Sequence, residues 1–233
     1  MDRYTMICAA QQCVFVHVPK TGGQSVEQFF LELNGLTLKQ KQQLLISRND
    51  DPAKGPSRLA HMRAHEYVDC GHMSQDDYDR YFSFAFVRNP WSRLVSEYLH
   101  KKLDNKYSFK QWVFEAMPEA DDFSDAYRHV IPQTDYLVNS QGDVIVDFVG
   151  RFENLQNDFN KVCEKLNIAN STLPHANSTS SFRRSLERKI RHLFIKEKRI
   201  KQHYTAYYDN ETIDKVATLY ASDIAMFNYT FDE

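Results

Sequence analysis

Two short stretches, residues 14–18 (VFVHV) and 83–87 (SFAFV), are dense in β-branched and aromatic side chains, and each stops at a polar loop followed by apolar positions at helical spacing. That succession predicts a buried strand, a tight turn and a helix, with the helices over residues 25–33 and 90–102. Further along, residues 109–115 read as a helix, 144–149 as a hydrophobic strand, and 154–166 as an amphipathic helix with apolar positions 155, 159, 162, 163 and 166. Residues 34–60 predict a short polar helix and then an Asp/Pro/Gly loop long enough to serve as a substrate lid. Alternating strands and helices imply an α/β fold with a central parallel sheet covered by helices on both faces, in one domain spanning residues 1–233.

Composition narrows the class without naming it. A length of 233 residues with 42% hydrophobic and 13% aromatic content suits one globular core. With 29 basic and 31 acidic side chains, the net charge of −2 advertises no polyanionic partner. No run reaches the roughly 18 apolar residues of a membrane span, and the N-terminal MDRYTMICAAQQ has no hydrophobic core of a secretion signal, so a cytoplasmic location is expected. Cys8, Cys13, Cys70 and Cys163 form no CxxC pair and are expected to be reduced and mostly buried.

The candidate chemistry sits at the two strand ends. Lys20 precedes Thr21, Gly22, Gly23, Gln24 and Ser25, so backbone N–H groups at a helix N-terminus can face an anion that the ammonium also touches. Only seven glycines occur in the chain, and two are adjacent here, where backbone must approach a ligand closely or turn with positive φ. The loop is not a Walker A motif, because its lysine comes before its glycines. At the second strand end stand Arg88, Pro90 and, two helical turns on, Ser96; Arg88 and Ser96 are expected to grip one phosphate while the Lys20 loop grips another.

On these residues the chain resembles the sulfotransferases that use 3′-phosphoadenosine 5′-phosphosulfate (PAPS), in particular the carbohydrate branch that includes the uronyl 2-O-sulfotransferases. Pro19, Lys20, Thr21, Gly22, Gly23 and Ser25 match the family's 5′-phosphosulfate loop, and Arg88, Asn89, Pro90, Arg93 and Ser96 match its 3′-phosphate helix. The likeness continues through residues 133–155, 180–189 and 207–231. It implies a P-loop-like three-layer sandwich and transfer of a sulfuryl group to a carbohydrate hydroxyl, with adenosine 3′,5′-bisphosphate as the second product. Arg183 and Ser185 resemble a further contact to the 3′-phosphate. Golgi members of the family carry a signal anchor, which leaves the Golgi lumen as the expectation for a trimmed chain.

Such a transfer needs a general base, and histidine is the usual one. His61, His65 and His72 cluster ahead of the second motif. Cys70-Gly71-His72-Met73 resembles the step that bears the family's catalytic histidine, which puts His72 first and His61 second; Cys70 stands where the family has a supporting histidine. Lys20 would neutralise charge on the leaving nucleotide. His61 and His65 have i, i+4 spacing but no third ligand in a recognisable pattern, so no metal is expected. His17 reads as a core or near-core residue beside Lys20. The basic segment 183–201 reads equally as a solvated amphipathic face or as a surface for an acidic sugar polymer, and it lacks the interleaved aromatics of a nucleic-acid site. A nucleotide-dependent kinase of the same fold and a non-catalytic nucleotide or polyanion binder are the alternatives.

Overall fold

The computed structural model describes residues 6–37, 48–174 and 203–232. The chain begins with a hairpin of β1 (Ile7–Cys8) and β2 (Cys13–Val16), then enters α1 (Gly23–Leu33). A 3-10 turn at Leu59–His61, α2 (Glu66–Asp69) and α3 (Gln75–Arg80) lead to β3 (Phe82–Val87) and α4 (Pro90–His100). After α5 (Phe109–Glu115) and α6 (Asp125–Arg128) come β4 (Phe148–Arg151), α7 (Leu155–Lys165), α8 (Asn210–Leu219) and α9 (Ala221–Phe227).

The four strands form one sheet in the order β1-β2-β3-β4. β2, β3 and β4 are parallel, with Phe15 opposite Phe84 and Phe84 opposite Phe148. β1 departs from the all-parallel expectation: it is an antiparallel edge, because a four-residue connection can return the chain only as a hairpin. The period-2 alternation then divides the core. Val14, Val16, Ala85 and Val87 point into one cluster with Leu94, Val95 and Tyr98 of α4 and Trp112 of α5. Phe15, Phe84 and Phe86 point into the other, with Val26, Phe29 and Phe30 of α1 and Phe159 and Val162 of α7. Burial on both faces explains why these strands read as continuous apolar runs.

The last strand is displaced from its expected position. Residues 144–149 are only partly strand: Val144 forms an isolated bridge with Val138, and the ladder with β3 starts at Phe148. Three hydrogen bonds explain the delay. The Asp147 carboxylate accepts from the Ser83 N–H (2.8 Å) and hydroxyl (2.9 Å), and the Asp147 N–H donates to the same hydroxyl (2.9 Å), so side chains replace the backbone ladder there. The proposed polar helix in 34–60 falls largely on residues 38–47, and the basic segment 183–201 with Arg183 and Ser185 falls wholly outside the described residues.

Candidate active site

The first loop is shaped by what it cannot accommodate. Lys20 and Gly22 both lie in the left-handed region, at φ 71° and 85°. A Cβ on Gly22 would lie 2.7 Å from Leu155 Cδ2, and one on Gly23 would lie 2.1 Å from the His17 ring, so the adjacent glycines let α1 start against both. The buried Thr21 hydroxyl donates to the Val18 carbonyl (2.8 Å), which makes it a brace of the loop instead of a ligand group. Gln24 is exposed and Ser25 half-buried at the helix start. No side chain caps α1 and no acidic residue occupies its first turn, leaving its orphan N–H groups to an incoming anion.

The second motif meets this loop directly. Asn89 accepts from the N–H groups of Trp91 (3.1 Å) and Ser92 (3.3 Å), capping α4 behind Pro90. The Arg88 guanidinium donates through Nη1 to the Lys20 carbonyl (3.3 Å) and through Nε and Nη2 to the Ser92 hydroxyl (3.0 and 2.8 Å). It lies 4.3 Å over the Phe152 ring, and Gln133 clamps the Arg88 backbone by accepting from its N–H and donating to its carbonyl, both at 2.8 Å. Ser92 is thus the hydroxyl that Arg88 touches, while Ser96 is half-buried with no hydrogen-bond partner among the described residues. Arg93 is structural: its buried guanidinium donates to the His129 and Ile131 carbonyls.

Burial lowers the pKa of both Lys20 and Arg88, and the Arg88 charge lowers that of Lys20 further. Neither forms a salt bridge with a carboxylate among the described residues. Glu97 and Glu153 offset part of the burial effect at Lys20 and Arg88, and the two partly desolvated cations beside an uncapped helix N-terminus make this a candidate site for an anion.

Next to the loop lies a histidine cluster assembled from distant segments. His17 directs Nδ1 to Glu27 (2.6 Å) and packs edge-on to His61, with ring centroids 5.2 Å apart. His61 directs Nδ1 to Asp125 (2.8 Å) and packs edge-on to His129 at 4.7 Å. His129 directs Nδ1 to Glu97 (2.8 Å) and Nε2 toward Asp125 (3.6 Å). Glu97 in turn acts on Lys20, raising its pKa against the effect of burial, which joins the cluster to the anion loop.

The surroundings of the two inner histidines push their pKa values in opposite directions. Burial pushes His61 down to about 4, against the opposing pull of Asp125. Burial also works against the charge of His129, but hydrogen bonds to Asp125 and Glu97 outweigh it and raise its pKa. Asp125 is buried enough to favour its acid form, yet the two histidines hold it well below the usual carboxylate range. His61 is therefore neutral near pH 7; with Nδ1–H facing a carboxylate, its Nε2 carries the lone pair.

His61, Asp125 and His129 also bring ligand atoms within 4.8 Å of one another and are the described residues that could hold a metal. Arg58 and Lys101, at 3.4 and 3.8 Å from Asp125, already supply positive charge there. His65 does not join His61 as the i, i+4 spacing would allow: His61 is on a 3-10 turn, and His65 pairs with Asp69 (2.8 Å). His72 is placed elsewhere too, on the half-turn after α2, with Nε2 donating to the Lys54 carbonyl (2.8 Å). Sequence reasoning did not find Ser92, Glu97, Asp125 or His129. The last two lie 64 and 68 residues beyond His61, and no local spacing links them.

The sulfotransferase family model matches residues 3–230. An uncharacterized protein of Archaeoglobus fulgidus is 37% identical over 100 residues, covering 39% of this chain and 72% of that protein. No solved structure matches.

Proposed function

Because the chain belongs to the sulfotransferase family, we propose that it transfers the sulfuryl group of PAPS to a hydroxyl of a carbohydrate acceptor by in-line displacement. The observation that carries this reading is the junction of the two motifs: Arg88 donates to the Lys20 carbonyl at 3.3 Å, which brings two cations that form no salt bridge among the described residues to one loop. A nucleotide phosphorylated at both the 3′ and 5′ positions matches two such cations and an uncapped helix N-terminus. The donor supplies the activated sulfuryl group; the protein supplies alignment and charge.

In this reading Lys20 and the N–H groups from Gly22 to Ser25 neutralise charge on the 5′ side, a contribution of about 3 kcal/mol for one such donor. Arg88, Ser96 and the outlying Arg183 and Ser185 hold the 3′-phosphate, with Ser92 fixing the Arg88 fork. His61 replaces His72 as our choice of base, because His61 is neutral, carboxylate-backed and adjacent to the Lys20 loop. Its Nε2 takes the acceptor proton and Asp125 stabilises the resulting imidazolium. The sheet with a core on each face fits a P-loop-like three-layer sandwich, and we assign the enzyme to the cytoplasm.

Calorimetric titration with adenosine 3′,5′-bisphosphate, beside AMP and ATP without added metal, tests the reading. Binding confined to the bisphosphate and lost in Arg88→Ala is expected. A preference for ATP, or equal binding of AMP, would overturn it.

A further inference from the structure

The hairpin at the sheet edge places two thiols face to face. Cys8 and Cys13 are register partners across β1 and β2. The Phe15 N–H donates to the Met6 carbonyl (2.8 Å), which makes Met6 and Phe15 a hydrogen-bonded pair and, two residues along the ladder, Cys8 and Cys13 another. Such a pair has Cα atoms about 5.5 Å apart. A disulfide spans Cα separations of about 4.4 to 6.8 Å, which includes this pair, and the Cβ atoms of such a pair close by about 1 Å to form it. Both side chains border a crevice of about 10 Å³ with Met6, Phe15 and Phe30, and both are free thiols.

We propose that Cys8 and Cys13 form a redox-modifiable dithiol, oxidised to an intramolecular cross-strand disulfide by a hydroperoxide. Cys8 is the attacking sulfur. The Cys13 thiol lowers the Cys8 pKa against the effect of burial, and Asn34 Nδ2 donates to the same sulfur at 3.1 Å. Cys13 is raised by that same partnership and by burial, which suits the resolving thiol. The Cys8 thiolate attacks one oxygen of hydrogen peroxide, the O–O bond breaks and the leaving hydroxide takes up a proton to become the first water, giving a Cys8 sulfenic acid. Cys13 then attacks the Cys8 sulfur, the S–O bond breaks, the S–S bond forms and a second water leaves. The protein gives up two electrons and two protons, and the peroxide becomes two waters. Exposures of 5% for Cys8 and 1% for Cys13 restrict the oxidant to a small one.

The modification would be felt at the far end of the anion-binding helix. Asn34 is the C-cap of α1, where its side chain also donates to the Phe30 carbonyl (2.7 Å), and disulfide formation takes the Cys8 sulfur from it.

One tryptic peptide, residues 4–20, contains both cysteines with no internal lysine or arginine, so the bond can be read directly. Native protein is treated with hydrogen peroxide, quenched, unfolded, alkylated and digested. The expected peptide is two hydrogens lighter, unalkylated, and restored to two alkylatable thiols by dithiothreitol. Cys163, buried and raised to about 11, should stay fully alkylatable as the internal control. In Cys13→Ser, dimedone should capture a sulfenic acid at Cys8; in Cys8→Ser, Cys13 should remain unmodified. Two alkylatable thiols in peptide 4–20 after Cys70 has been oxidised would overturn the proposal, as would dimedone capture at Cys13 in Cys8→Ser.

Discussion

A histidine acts as a base when its neutral form is favoured beforehand and its cation is stabilised as the proton arrives. His61 meets both conditions, through burial and through Asp125 at 2.8 Å. Among the described residues His72 is backed by a carbonyl, that of Lys54, and by no carboxylate. His61→Ala should therefore lower turnover by about 10² to 10⁴ with bisphosphate affinity nearly kept, while His72→Ala stays within a few-fold of the parent. Steady-state rates of the two variants decide this, and the reverse pattern would return the role to His72. Lys20 carries a different cost: a lysine at φ 71° is held in a region worth about 1 to 3 kcal/mol of strain, with its ammonium partly desolvated. Lys20→Gly should melt at a higher temperature than the parent while losing transfer activity. A lower melting temperature by calorimetry would remove the strain argument.

Elements matter here because His61 and Asp125 arrive on separate ones, and a buried ion pair ties them together. Arg128 of α6 donates to both oxygens of Glu66 on α2 at 2.8 and 2.6 Å, five residues after His61 and three after Asp125. Arg128→Met leaves Glu66 buried without its cation and held by the Arg63 N–H (2.7 Å), so chemical denaturation should report a loss of about 3 to 5 kcal/mol; Arg128→Met with Glu66→Gln should recover part of it. No recovery would mean that Arg128 acts through packing alone. The helices that carry the anion motifs were legible from sequence. Their signals are local: a glycine pair before a periodic stretch, Asn-Pro after a strand, and apolar runs of the right length, giving Phe109–Glu115 to the residue and α1 and α4 within two. The edge strand β1 was missed because two residues carry no period. β4 was misplaced because the Asp147–Ser83 contacts that delay it are tertiary. The histidine network was out of reach for the same reason, since His61, Glu97, Asp125 and His129 are brought together by packing and share no local spacing.

At the scale of the whole molecule, the buried cluster makes stability depend on pH from two sides. His61 binds its proton in the unfolded chain near 6.5 but in the fold only at about 4, so its contribution is lost as pH falls through that window. Asp125 and Glu97, both lowered in the fold, lose theirs as pH falls below their unfolded values of 3.8 and 4.5. His129 is raised; its contribution is complete below 6.5 and lost as pH rises through its folded value. Unfolding free energy by urea titration should peak near pH 6.5 and decline on both sides, with the slope between 6.5 and 4 reduced in His61→Ala. An unchanged acid slope in that variant would remove His61 from the account. The turn that presents Arg88 depends on the other end of the chain as well: Asn89, which caps α4, donates through Nδ2 to the Thr230 carbonyl at 2.7 Å across 141 residues, and Trp91 packs edge-on to Phe231. During synthesis that partner leaves the ribosome on the order of ten seconds after the turn does. The nascent protein thus spends that interval with its arginine motif made but its cap unanchored, and the junction of the two motifs is among the last parts of the molecule to be finished.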